Sequence, residues 1–469
     1  MPTAVKERLI NLKIQDDQKY YEIVQFFLDP TISTSAKEIK SSQFLQNEIA
    51  SLDLNAEAFP DDATLVKDWI HTNNHIQCHH YADYLERRKN NSQREYFNTT
   101  SEAYEFLYKI APVKRVDGAW LYSLIHYWND PVFKDFIQIY LEELGLGVDK
   151  ANHVKVYERL LASLGLEDFS MQLSDSYYHQ PAIQLALAYA SSDFIPEVIG
   201  FNLGYEQLPL HLMITNYELN ELGINAKYFN LHITIDNFEN GHADLSTKAF
   251  YKIAQKYKHQ DDFMRKLKQG FLLNNLGLGS VDIINHTDTQ QVVKDIFKRK
   301  AIVGKLMHNN KCKFSQKTVN QWLSQEDSID DFIDELIRAN WLKINQDPLE
   351  SRFWKIIDHV EGKMYGVFTP VEKVFIHDWI AGSKASEFKY RIQSNLLNQH
   401  LDIETYSYLV DPELRDLQKQ NHDSVHLCHK INKLLPYLAP HVHHQNIGLW
   451  STQRITEYLF PFLMPQYSS

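Results

Sequence analysis

Three stretches of this 469-residue chain carry acids and imidazoles at spacings that could support metal or acid–base chemistry. The most informative is His232-Ile-Thr-Ile-Asp236-Asn-Phe-Glu239-Asn-Gly241-His242. On a helix, His232 and Asp236 stand one turn apart and project from the same face. Such a pair can bind one metal or bridge two, while Ile233, Ile235 and Phe238 make the opposite face apolar enough to bury. An imidazole and a carboxylate buried together need a partner. A metal is one answer, and a plain hydrogen bond between the two side chains is the other. The second stretch puts Glu142 and Glu143 at the end of one helix and His153 at the start of the next, with Gly145 and Gly147 in the bend between. Acids at a helix C-terminus oppose the dipole, a local conflict of the kind that gathers at functional sites. The bland alternative is a solvated helix end, with Asn152 capping the following helix. The third stretch sets Glu206 among Phe201, Leu203, Tyr205 and Leu208 just before Pro209, either on an exposed stripe or deliberately buried.

Oxygen and imidazole ligands without thiolate suit iron or manganese better than structural zinc. Ferritin-like bundles hold two metals with paired Glu-x-x-His motifs, which this chain lacks, so a different helical scaffold must carry the ligands. Other histidine groups have a zinc-like look: His75-Ile-Gln-Cys78-His79-His80, His426-Leu-Cys428-His429 and His441-Val-His443-His444. None has a second cysteine pair at ligand spacing, and 22 histidines make chance groupings common. Cys78 has no Cys–His pairing motif that would make it a nucleophile, and no glycine-kinked helix stands opposite a lone histidine as a haem site would require.

The elements that must position these residues are helical. Apolar residues recur at helical spacing, as in Val132-Phe133-Phe136-Ile137-Tyr140-Leu141-Leu144 and Ile329-Phe332-Ile333-Leu336-Ile337. The first of these helices starts after Asp130-Pro131 and stops at Gly145. Lys89 to Thr100 is polar and turn-rich and reads as a loop; a long helical region follows from about Ser101 to Gln255. The pattern breaks near Gly277 to Asp288, where Thr287 or Asp288 could cap a new helix. One hairpin is expected over Lys355 to Pro370, around Glu361-Gly362. Three units are therefore expected: an N-terminal helical extension over 1–60, a central domain over 61–285, and a mostly helical C-terminal domain over 286–469.

Composition narrows the function classes. Apolar residues make up 44% and charged residues 23%, which is globular rather than disordered. A net charge of -12 argues against a nucleic-acid or anionic membrane partner. Charges interrupt every apolar run, so no membrane span is expected, and Met1 to Leu12 does not read as a secretion signal. Three distant cysteines make no disulfide framework, and a reducing cytoplasm is the expected compartment.

Taken together, the phrases Val116-Asp117-Gly118-Ala119-Trp120-Leu121, Glu143-Leu-Gly through Asn152-His153, Tyr205-Glu-Gln-Leu-Pro-Leu210 and His232-Ile-Thr-Ile-Asp236 resemble the haem-oxygenase-like di-iron oxidases, the iron-containing redox enzymes. The resemblance runs from about Tyr104 to Ala243. It implies an all-α, haem-oxygenase-like helical bundle with additional N- and C-terminal helices. It also implies two iron ions, dioxygen as co-substrate, and oxidation of a small organic substrate of amine, amino acid or fatty acid type. By position, Glu143 and His153 match the family's first acid and imidazole, Glu206 its middle carboxylate, and His232 and Asp236 the first two residues of its His-x-x-x-Asp-x-x-His helix. These five are the catalytic and metal-ligating set the resemblance implies. The chain departs from the pattern at the sixth ligand. Glu239 stands where the last His belongs, and the nearest imidazole is His242. On an ideal helix Glu239 faces with His232 while His242 is rotated away, so His242 needs a bulge or kink at Asn240-Gly241. His242 is taken as the sixth ligand with Glu239 as its substitute, and Asp117 and Tyr205 as neighbours of the ligands. A homodimer falls within expectation. Two other classes stay open: a metal-free helical binding or scaffold protein, and a metal-dependent hydrolase on the same fold.

Overall fold

The computed structural model describes residues 19–55, 59–235, 241–257, 259–325, 328–388, 390, 411–423 and 426–464. The described chain is all-α. Its α-helices of nine or more residues are α1 Lys19–Leu28, α2 Thr34–Ala50, α3 Val66–Lys89, α4 Thr100–Lys109, α5 Lys134–Glu143, α6 His153–Ser163, α7 His179–Ala188, α8 Ile195–Tyr205 and α9 Leu210–Glu221. They continue as α10 Lys227–Ile235, α11 His242–Ala254, α12 Gln260–Leu272, α13 Thr289–Gly304, α14 Ile329–Arg338, α15 Pro370–Ala381, α16 Pro412–Asp423 and α17 Asn446–Leu459. Among the described residues, extended pairing is confined to Lys313–Phe314 against Lys317–Thr318. None of the described helices is long and apolar enough to cross a membrane.

Local chemistry explains where these helices begin and end. The Asp130 carboxylate accepts from the Val132 N–H at 3.0 Å, Pro131 sits in the first turn, and a short 3-10 turn feeds α5. Gly145 then takes a left-handed backbone at φ +66°, which ends that helix. Asp288 caps α13 through the Gln291 N–H, and Thr99 with Glu102 forms a reciprocal capping box at α4. The polar loop after α3 is held by an acid: Glu218, fully buried, accepts from the Tyr84 hydroxyl and from the backbone N–H groups of Glu95, Tyr96 and Phe97.

The expected hairpin over Lys355 to Pro370 is absent. That stretch is a helix, Arg352–Asp358, followed by turns, then α15 beginning at Pro370. Phe353, Trp354 and Ile357 bury one helical face, and helical burial outweighs the strand-like appearance of the short apolar runs.

Two apolar clusters fill the interior. One joins α1, α2, residues 116–144, α7, α8, α11 and α12 to C-terminal residues Leu417 through Phe460. The other joins residues 97–111, α6, α9 and α10 to the region from Ile283 to Ile380. Helices α8 and α12 cross at backbone contact. A Cβ on Gly200 would lie 1.9 Å from the Leu267 carbonyl oxygen, and one on Gly270 would lie 1.9 Å from that of Glu197. Only glycine permits this approach.

Candidate metal centre

Five of the residues singled out by sequence converge in the interior. Glu143 is the last residue of α5, His153 the first of α6, Glu206 follows α8, His232 lies on α10, and His242 is the first of α11. All five are buried. Asp236 and Glu239 lie outside the described residues. The reorientation that His242 required is present, because α11 starts anew at His242. Gly241 before it is extended, at φ -92° and ψ -167°.

The side chains form two groups of three, in each of which one ligand atom per residue lies within 4.8 Å of the others. Asp117, His153 and His232 make the first. His232 Nε2 is 3.2 Å and His153 Nδ1 3.6 Å from Asp117 Oδ2, and the two rings stand nearly perpendicular with centroids 4.6 Å apart. Glu143, Glu206 and His242 make the second. His242 Nδ1 is 3.2 Å from both Glu143 Oε1 and Glu206 Oε2, and its Nε2 is 2.9 Å from Glu142 Oε2. The groups meet where Glu143 Oε2 and His153 Nδ1 approach to 2.6 Å. Neither of these two atoms is aligned for a hydrogen bond. Their closeness joins the two groups into one buried cluster of carboxylates and imidazoles.

Asp117 is the main addition to the set read from sequence, which gave it only a neighbouring role. It follows the short helix Ala111–Lys114, and Gly118 next to it takes φ +74°. A Cβ on Gly118 would lie 2.8 Å from Glu143 Cβ, so the glycine is what lets the Asp117 turn close on α5. Tyr228 donates its hydroxyl proton to Asp117 Oδ2 at 2.5 Å, and the Tyr205 hydroxyl is 3.4 Å from Oδ1. Lys114 lies over both tyrosine rings. A carboxylate just ahead of a glycine, inside one of the recognised phrases, was the available signal.

The electrostatics follow from burying acids beside imidazoles. Burial works to raise the Asp117 pKa, but Lys114, His232 and His153 together hold it well below the usual carboxylate range. Burial likewise opposes ionisation of Glu143, yet His153 and His242 bring it down to about 2. Burial works against protonation of His242, and Glu206, Glu142 and Glu143 override it and push its pKa well up. His153 is raised against the same penalty, chiefly by Glu143. Three buried carboxylates thus require positive charge, supplied either by protons on these imidazoles or by a cation in their place. Three carboxylates and three imidazoles without sulfur fit iron.

The remaining candidates are not part of this cluster. Cys78, Cys312 and Cys428 are free and exposed. His75, His79 and His80 are exposed on α3, and His426 and His429 are exposed as well. The third histidine group behaves differently: His443 is buried and touches Asn152, a contact that sequence reading did not anticipate.

Residues 104–274 match the model of a family described as iron-containing redox enzyme. The match covers this stretch of the chain and is a similarity to that family. The match contains every residue of both ligand groups. Searches of curated proteins and of solved structures returned no match for the chain.

Proposed function

We propose that the protein is a non-haem di-iron oxidoreductase that activates dioxygen to oxidise a small organic substrate of amine, amino acid or fatty acid type. The observation that carries this reading is the pair of buried three-ligand groups joined at Glu143 and His153. A single ion would need only one such group. Asp117, His153 and His232 would hold one iron and Glu143, Glu206 and His242 the other, with Glu143 placed to serve both. Asp236 belongs to the proposed set by its place in the family motif. Two bound ferrous ions would supply the electrons and Lewis acidity that dioxygen activation needs.

The chain's own residues do the rest. Lys114, with His232 and His153, keeps Asp117 ionised and the Tyr228 hydroxyl orients it, so that its carboxylate would be available as a ligand at neutral pH. Asn152 caps α6 by accepting from the Lys155 N–H, which fixes the helix end from which His153 projects. Trp120 packs on Phe201 and Tyr205, the latter with ring centroids 4.2 Å apart, and Tyr228 meets the His232 ring edge-on at 4.6 Å. A metal-free scaffold would have to balance the same carboxylates with protons on His153 and His242, and it leaves the convergence of two three-ligand groups without a purpose, which makes it the weaker reading. A small-molecule substrate and a homodimer belong to this proposal, as does the cytoplasm as compartment.

The test is anaerobic titration of the purified protein with ferrous iron, followed by rapid mixing with dioxygen under optical monitoring. Two irons per chain, oxygen consumption and a transient visible absorption are expected, and His232→Ala should lose all three. Iron uptake without oxygen consumption would favour the hydrolase. Failure to bind iron at micromolar concentration would leave the metal-free scaffold.

A further inference from the structure

The described residues from 411 to 464 lie outside the stretch that matches the family, yet they pack on the bend between Glu143 and His153. Helix α17 packs on the bend between Glu143 and His153. A Cβ on Gly147 in that bend would lie 2.4 Å from the Leu449 carbonyl oxygen and 2.5 Å from the Gln453 nitrogen. The Tyr140 hydroxyl, one turn before Glu143, donates to the Leu438 carbonyl at 2.5 Å. Between these two contacts His443 enters the interior, 1% exposed, with its Nδ1 3.2 Å from Asn152 Nδ2. A Cβ on Gly448 would lie 2.4 Å from His443 Cα, so α17 holds the backbone of His443 at contact distance.

The Asn152 amide is fully used. Its Nδ2 donates to the Leu144 carbonyl at 3.2 Å, and its Oδ1 accepts from the Lys155 N–H at 3.2 Å. Both contacts fix the amide orientation, because a flipped amide would set an N–H against an N–H and an oxygen against an oxygen. The remaining Nδ2 proton therefore points at His443 Nδ1, which must accept. His443 is then a neutral imidazole with its proton on Nε2. Burial, with His444, His441 and His153 nearby, holds its pKa well below the usual value, which agrees with the acceptor role. One amide thus ties the end of α5, the start of α6 and the C-terminal segment together.

We propose that His443 is a positioning residue of the metal centre, acting through Asn152 to fix the bend that sets Glu143 against His153. The C-terminal segment is by this account part of the site and not an appendage. The inference rests on the metal-binding reading above. Ligand-orienting partners of this kind typically change metal affinity by roughly ten- to a hundredfold when removed.

The experiment compares wild type, His443→Leu and His443→Asn. Leucine fills the space without an acceptor; asparagine can place its Oδ1 where the imidazole Nδ1 stood. For each, ferrous iron is titrated anaerobically, cobalt(II) visible bands report ligand geometry, and thermal unfolding of the metal-free protein reports stability. The expected result is that His443→Leu binds iron at least tenfold more weakly with altered cobalt bands, and that His443→Asn restores both. A folded His443→Leu protein with wild-type iron affinity and cobalt bands would overturn the proposal. So would a folded His443→Asn protein as impaired in metal binding as His443→Leu. Should His443→Leu not fold, His443→Asn decides alone: wild-type affinity supports the role, and a tenfold loss at unchanged stability refutes it. Absence of iron binding by wild type would instead remove the metal reading on which the inference stands.

Discussion

Glu197 offers a sharp test of how burial sets the energetics of the bundle. It lies in the first turn of α8, where a negative charge would ordinarily be favoured by the helix dipole. The close α8–α12 crossing leaves it only 3% exposed, and its Oε2 has no hydrogen-bond partner. Burial therefore dominates and raises its pKa from 4.5 to about 7, although Lys266 and Arg265 pull it down. The folded protein binds this proton more tightly than the unfolded chain does. Stability from this group is fully present below about pH 4.5 and is lost as pH rises to about 7. A rise of roughly 2.5 units corresponds to about 3 kcal/mol, an upper figure for the cost of the ionised group at pH 8. Glu197→Gln keeps the shape and removes the charge. Denaturant unfolding of the metal-free protein at pH 4.5 and at pH 8 should show the variant and wild type within about 0.5 kcal/mol at the acid end. At the alkaline end the variant should be about 2–3 kcal/mol more stable. A difference independent of pH would refute the argument, because it would mean that Glu197 is ionised in the folded protein without penalty.

Two further predictions concern the metal centre. His153 and His242 are held protonated by neighbouring carboxylates, and an imidazole must lose that proton before it can ligate. Ferrous iron uptake in weakly buffered solution should therefore acidify the medium, and affinity should rise with pH through neutrality; proton-neutral uptake would show these imidazoles to be unligated. Tyr228→Phe removes the hydroxyl bonded to Asp117 Oδ2 and should weaken iron binding by roughly ten- to a hundredfold in a chelator competition. Unchanged affinity would show that Asp117 is oriented without the phenol.

Much of the fold was legible because helical structure is encoded locally. Asp130-Pro131 and Gly145 bound α5 through capping and through a left-handed turn, and both depend only on neighbours in sequence. The apolar spacing from Ile329 to Ile337 gave α14 in the same way. The hairpin over Lys355 to Pro370 was misread because short apolar runs carry no decisive period, and burial of Phe353, Trp354 and Ile357 on one helix settled the matter. In the site, Glu143, His153, Glu206 and His232 stood out because each lies in a recognisable phrase.

What the sequence determined by itself was the helical class, several helix ends and a set of acids and imidazoles with metal-binding chemistry. The tertiary structure decided how those residues are partnered. It made Asp117 a member of the first ligand group, since Gly118 closes its turn onto Glu143. It brought His242 to Glu206 through a helix break at Gly241, where an unbroken helix would have turned it away. It also placed His443 from the far end of the chain against Asn152, nearly three hundred residues away in sequence. Spacing along a chain fixes only what lies within a turn or two of helix. Which distant carboxylates and imidazoles share one buried space is set by how the helices pack, and no short motif records it.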